Sequence, residues 1–378
     1  MSKARRTSGF AMSIIAASLA GALMAVNCQA PARSTAVASY QASQATCPTC
    51  RLELEHVTTL GTADGPGGIV SPPSSIARDS RGRYYVVPSR QEEMPIVFDA
   101  DGAFIARIGQ GGEGPGEFEL PDQVFVLPGD SLQIYDFNLG RVSVFDPEYV
   151  YVRSYDMRFS HAAMTQAADG TLLINQQVPT PAKIGYAVHK LGSEGEIEVS
   201  FDEYSPEMRE PVWMRKIAAG RSGVWAVPYY HDHVIRLYAP TTGELLREFR
   251  RDSEWYPTID HWQIANPDTP PAPIMVGLWE DPDEAHVWTI GWAGDPDWRD
   301  HLGNPVNTVD GTLYPFDRNE GYDSVIEAVD AESGELVASA RMDDPIWAII
   351  EPGLIATFHE DSVGWWYAEV FRVRLHRN

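Results

Sequence analysis

Four short stretches carry residue types that do chemistry when they converge. Cys47-Pro48-Thr49-Cys50 is a CxxC pair, which elsewhere serves as a redox dithiol, as half of a zinc site or as a small disulfide loop. Zinc needs two further ligands, and no second cysteine pair exists in the chain. A redox dithiol usually opens a helix, where the thiol pKa is lowered, whereas a β-type segment follows here. Arg51 rather than His follows Cys50, which excludes haem attachment. A disulfide between Cys47 and Cys50 that fixes the start of the domain is the expectation. His231-Asp232-His233 has the residue types of metal ligands, but in a hairpin loop the spacing gives the two imidazoles no common direction, so a turn with incidental histidines is favoured. Asp295-Pro296-Asp297-Trp298-Arg299-Asp300 is dense enough in carboxylates to suit Ca²⁺. Its spacing lacks the closing bidentate Glu of an EF-hand loop, and turn formation explains it equally well. Gly220-Arg221-Ser222-Gly223 falls short of a Gly-x-Ser-x-Gly elbow, and neither a P-loop nor a dinucleotide fingerprint occurs. No catalytic residue, metal ligand or cofactor is assigned, Ca²⁺ being the one ion these carboxylates would suit.

The elements that must position such residues are short strands. Phe98-Asp99-Ala100-Asp101-Gly102-Ala103-Phe104-Ile105 reads as two strands around an Asp-Gly turn. Similar hairpins follow at Phe145 to Val150, Leu191 to Ile197, Tyr238 to Leu246 and Val329 to Val337. Their starts are spaced by about 46 to 47 residues, with one gap of about 91, and such a period corresponds to four strands per unit. A second series lies upstream of the hairpins, each a turn followed by an apolar strand: Tyr84 to Val87, Leu132 to Tyr135, Leu172 to Ile174, Val224 to Val227, Val287 to Ile290 and Leu354 to Phe358. These runs are apolar on both faces, as expected of sheets sandwiched between neighbours. Six such strands meet five hairpins, because the chain ends just after a strand at Trp365 to Leu375. The strand Leu52 to Leu60 can supply the missing outer member. The fold expected is therefore all-β, a six-bladed β-propeller closed by an N-terminal strand, which hides the edges an open array would expose.

One blade departs from the pattern. Blade five carries an insertion at about 292–322 where the other blades use a short loop. It offers Trp292, Asp295, Asp297, Trp298, Arg299 and Tyr314 as candidate ligand-binding residues, aromatic faces and polar groups that stack on a sugar or aromatic ring and bond its edge. The competing reading is a loop that packs its own aromatics on the domain.

Ile108-Gly109-Gln110-Gly111-Gly112-Glu113-Gly114-Pro115-Gly116-Glu117-Phe118, followed by Asp130 to Asp136 and Arg141 to Phe145, resembles bacterial six-bladed propellers related to NHL repeats. The likeness spans about residues 52 to 375 and is clearest in the first two blades. Physically, the glycines allow a tight path between blades, Phe118 is available to fill the blade interface, and Arg141 can bridge a loop to a neighbouring carboxylate. The resemblance implies the fold and a broad habit of binding proteins, peptides, sugars or small ligands. Fold alone does not give function. The expectation is an exported, monomeric, noncatalytic propeller that binds a small molecule, glycan or partner protein at the channel mouth or the blade-five insertion. Its rival is a lactonase-like, metal-dependent hydrolase or lyase whose carboxylate ligands come singly from several blades around the channel, a design that leaves no local signature.

The termini and charge bound the setting. Residues 1–30 hold Lys3, Arg5 and Arg6, then an apolar run from Phe10 to Val26, with no acidic residue, which is a signal-peptide layout. The run falls short of the about 20 residues a bilayer span needs, so no transmembrane segment is expected. Cys28 stands where a lipidated cysteine would, although Asn27 replaces the usual small residue before it; cleavage after Ala30 or Ala32 is the alternative. Residues 31–46 read as a flexible tether and 47–378 as the propeller. An exported location follows, periplasmic, anchored to the outer membrane or secreted. With 29 basic against 53 acidic residues the net charge is −24, which makes nucleic acid a poor partner.

Overall fold

In the computed structural model, the residues described are 38–41, 45–61, 65–91, 93–157, 163–178, 183–204, 213–258, 264–308 and 311–377. Cys28, the expected leader and most of the expected tether lie outside them. Six antiparallel sheets are arranged around a channel. Blade one comprises Pro73–Arg78, Tyr84–Pro88, Ile96–Phe98 and Phe104–Arg107, in that order from the channel outward. Blades two to five repeat the plan, beginning at Pro121–Val126, Ala163–Gln166, Arg215–Ala219 and Ile274–Glu280. Blade six takes Ile346–Glu351, Leu354–Glu360 and Trp366–Arg377 from the end of the chain and Cys50–Leu60 from its beginning.

The ring is thus shut as the strand count requires. Leu52 pairs with Leu375 and Leu60 with Ala368 in one antiparallel ladder, shifted by a bulge between His56 and Thr58. Residues 38–41, expected within the tether, instead pair with Leu54 to Arg51 and give this blade a fifth strand. The edge of Cys50–Leu60 carries unpaired backbone groups that any extended segment can cap. Cys47 and Cys50 are disulfide-bonded where the chain enters that strand.

The apolar strands lie second in each blade, one step out from the channel. Tyr84–Pro88, Leu132–Asp136 and Val224–Pro228 are buried along their whole length. Both faces of each meet a neighbouring blade, which is why their sequences do not alternate. The cores lie between blades: Leu132, Ile134 and Phe118 pack with Tyr85 and Val97 between blades one and two, and Leu52, Leu54, Ile326 and Ile355 pack between blades five and six. The hairpin turns are built alike. Gly102 has φ +86°, while Asp99 Oδ1 accepts from the amides of Asp101 and Ala103. In blade two Tyr149 takes the left-handed position at φ +66° and Asp146 does the capping.

The glycine-rich loop after blade one needs its glycines. A Cβ on Gly109, at φ +75°, would lie 2.6 Å from the Gly116 carbonyl and 2.7 Å from the Phe118 ring. Phe118 is fully buried at the blade interface. Arg141 differs from expectation: instead of bridging to a carboxylate it donates to the carbonyls of Glu113, Gly114 and Glu117 at 2.8–3.0 Å. A planar fork with five donors can gather a loop whose carbonyls all turn inward.

Candidate functional site: the channel mouth

The first strands of the six blades enclose a channel of about 530 Å³. Contacts between neighbours give the channel two distinct ends. Where these strands begin, Ser74 Oγ donates to the Asp122 carbonyl and the Met275 amide to the Tyr229 carbonyl. Where they finish, Arg78 pairs with Glu351 at 3.2 Å, and Arg372 lies 3.8 Å from the same carboxylate. The finishing end is therefore closed electrostatically, each charge having its partner.

The beginning end is different. Lys216, in the strand Arg215–Ala219, lines the channel, and its ammonium lies 5.5 Å from the centre of the Tyr229 ring. No carboxylate pairs with it among the described residues. Desolvation by the channel walls pushes its pKa down, with no opposing interaction, although part of the side chain still meets channel solvent. Its neighbour Arg215 shows the contrast: turned away from the channel, it is buried and donates to Asp202 at 2.6 Å. Alternation along the strand sends one cation to a partner and the next to the void.

The insertion lies at this mouth and occupies 295–321, between His286–Gly294 and Tyr322–Asp330. It holds a single-turn 3₁₀ segment, Trp298–His301, a small ladder of Val306–Thr308 with Gly311–Leu313, and a helical turn, Arg318–Gly321. Asn319 Oδ1 accepts from Trp347 Nε1 at 3.0 Å, which ties the insertion to the first strand of blade six. Arg318 is exposed, and its guanidinium opposes the rise in pKa that burial imposes on Tyr229 and Tyr322. No carboxylate pairs with Arg318 among the described residues.

The residues singled out from the sequence divide between packing and rim. Trp292 lies in the strand before the insertion, 2% exposed, with Nε1 donating to the Ile346 carbonyl and its ring 4.5 Å from Trp347. Trp298 is 5% exposed and carries the Arg299 guanidinium 4.3 Å over its ring, while Arg299 Nε donates to the Pro267 carbonyl. Asp295 Oδ1 accepts from the Asp297 amide within a turn. Tyr314 is half-buried and Asp297 exposed. Trp298 and Arg299 are thus brought together, as are Asp295 and Asp297; Trp292 stands apart in the core that joins blades five and six. Both indoles spend their faces on packing, and for Trp298 that is what a long loop must do if it is to stay ordered.

Lys216 and Arg318 were not legible as a pair, since they are about a hundred residues apart and neither sits in a motif. The one local signal is Arg215-Lys216 in a strand otherwise Ile217-Ala218-Ala219. His231 takes a left-handed φ of +83° and lies with its ring centre 4.0 Å from that of Tyr230, tilted by 31°, and His233 is buried. Among the described residues no group of three or more carboxylate, imidazole or thiol side chains gathers as a metal would require, and no helix is long and apolar enough to cross a membrane.

Comparison with known proteins agrees with this architecture. A protein of Bacteroides fragilis described as exported shares 13% identity over 86% of this chain and 95% of its own, with a TM-score of 0.56. Virginiamycin B lyase of Staphylococcus aureus aligns over 84% of this chain and 99% of its own, at 11% identity and a TM-score of 0.44. No curated protein matches the chain in sequence. The model of a family described as 6-bladed beta-propeller matches residues 70–266, more than half the chain, and this protein belongs to that family.

Proposed function

We propose that this protein is an exported, noncatalytic propeller that holds a small carboxylate-bearing ligand in its channel mouth. The observation that carries the reading is Lys216, a cation in the channel wall with no carboxylate partner among the described residues. A desolvated ammonium gains most from a guest that brings the missing negative charge. Arg318 at the rim adds a second cation, and Tyr229 and Trp347 offer aromatic surface for the body of the guest. Export is supported by the leader layout of residues 1–30 and by the description of the Bacteroides fragilis relative.

The test is calorimetric titration of the full chain with matched acids and amides, such as phenylacetate against phenylacetamide and benzoate against benzamide. An acid should bind in preference to its amide at the channel. Lys216→Met should weaken that binding by about 10- to 100-fold, the worth of one charge-assisted hydrogen bond. Equal affinity for acid and amide, or unchanged acid binding in Lys216→Met, would remove the assignment.

A further inference from the structure

Lysine is scarce in this chain. Of its 29 basic residues only Lys3, Lys183, Lys190 and Lys216 are lysines, the rest being arginine. The buried carboxylates of Asp79, Asp202 and Asp323 are each met by an arginine, at 2.5–2.6 Å. A guanidinium keeps its proton in any protein environment and is no nucleophile, whereas an ammonium gives its proton up when it is desolvated. A lysine in the channel wall therefore offers a chemistry that the arginines elsewhere do not.

The surroundings of Lys216 favour that chemistry. Only Arg78, Lys216 and Glu351 are charged among the residues lining the channel of about 530 Å³, and Arg78 and Glu351 pair with each other at 3.2 Å. The first strands on either side, Ala163–Gln166 and Ile274–Glu280, bring no acid to the lining. Lys216 makes no hydrogen bond among the described residues, yet its Nζ is not sealed from the channel. What faces it is the Tyr229 ring at 5.5 Å, which tolerates a cation but does not require one. Desolvation without a counter-charge moves the balance toward the free amine, and a free amine beside a void is a nucleophile for carbonyl compounds. The walls that penalise an ammonium accept an uncharged imine.

We infer that Lys216 is a covalent capture site for a small aromatic aldehyde, held reversibly as an imine. The amine nitrogen attacks the carbonyl carbon and the C=O bond opens to a carbinolamine. The oxygen then leaves as water with both amine hydrogens, and a C=N bond remains; no oxidant or reductant is consumed, and water reverses the step. An aryl group suits the aromatic surface that Tyr229 and Trp347 give the mouth. The inference rests on the channel reading and adds a second class of guest: an acid meets Lys216 as the ammonium, an aldehyde meets it as the amine, and the two exclude each other.

The full chain would be incubated at neutral pH with benzaldehyde and sodium cyanoborohydride, which reduces an imine to a stable benzylamine, and the adduct located by peptide mass mapping. The benzyl group should appear on Lys216, with about tenfold less on Lys183 or on Lys190, which pairs with Glu198 at 3.4 Å. Lys216→Arg keeps a cation but cannot form the imine, and should lower the label carried by lysines about tenfold. Label absent from Lys216, or no richer there than on Lys183 and Lys190, overturns the inference. The map of the native protein decides this even if the variant fails to fold. Titration with phenylacetate and phenylacetamide separates the two readings: acid preference without label removes the imine and leaves the carboxylate site, and label without acid preference does the reverse.

Discussion

Glu280 ends the first strand of blade five and is 7% exposed, yet it belongs energetically to blade four. Its carboxylate accepts from the Ser222 amide at 3.0 Å, Ser222 Oγ at 2.7 Å and Trp225 Nε1 at 3.0 Å, with Arg221 Nε at 3.2 Å. These residues follow the strand that carries Lys216, so the carboxylate anchors the end of that part of the channel wall. Glu280→Gln preserves the shape and removes the charge. Charge-assisted bonds are about twice as strong as neutral ones, so the three bonds to this buried carboxylate lose about 1 kcal/mol each, while the half-exposed Arg221 adds little. The total is about 3 kcal/mol. For a ring of roughly 330 residues the unfolding entropy is about 0.7 kcal/mol/K, which makes this a fall of about 4 °C in Tm. Acid supplies the control. Burial alone would raise the Glu280 pKa, but the bonds from Ser222 and Trp225 and the Arg221 charge outweigh it and hold it below the usual carboxylate range. A carboxylate depressed in this way contributes stability above its unfolded pKa of about 4.3 and loses it as pH falls through the folded value. The difference in Tm by scanning calorimetry between the native protein and the variant should therefore narrow from pH 7 to about pH 3. A difference below about 1 °C at pH 7, or one that persists unchanged into acid, would refute the reasoning.

Two further outcomes follow from packing. Leu54 is 4% exposed in the core between blades five and six, so Leu54→Asp should cost about 3 to 5 kcal/mol. Because it acts on the closing strand, it should make the arginines of Trp366–Arg377 susceptible to trypsin before the rest of the ring, which limited proteolysis would show. Gly109→Ala must place a Cβ against the Gly116 carbonyl at φ +75° and should cost about 1 to 3 kcal/mol in urea unfolding. Gly111→Ala, where nothing lies within 4 Å, should be neutral in the same assay.

The fold was readable because its strongest signals are local. The strands buried on both faces announce themselves as unbroken apolar runs, and each hairpin carries an Asp and a left-handed residue at fixed offsets. Ring closure could be counted rather than recognised, since six apolar strands and five hairpins leave one strand at each end. The innermost strands were much less visible. Pro73–Arg78, Ala163–Gln166 and Arg215–Ala219 mix small, polar and charged residues, because one side faces a solvated channel. The candidate site is assembled from one of these strands and a partner far away in sequence, Lys216 with Arg318. In the insertion, aromatic content signalled a loop with something to bury. It did not reveal that Trp292 and Trp298 would be turned inward, leaving Arg318 at the mouth. His233 looked incidental within its turn, and only the fold brings a carboxylate to it.

The pairing of Cys50–Leu60 with Trp366–Arg377 sets a timetable for biosynthesis. The earlier strand leaves the ribosome first and must wait about 300 residues for its mate, the kind of distant pairing that slows folding. Until then blade six has its outer member but not the strand that member pairs with, and every nascent intermediate is an arc with two raw flanks, the species most prone to wrong association. Completion is therefore a single late event, and the chain has strong reason to be shielded until its last strand is released.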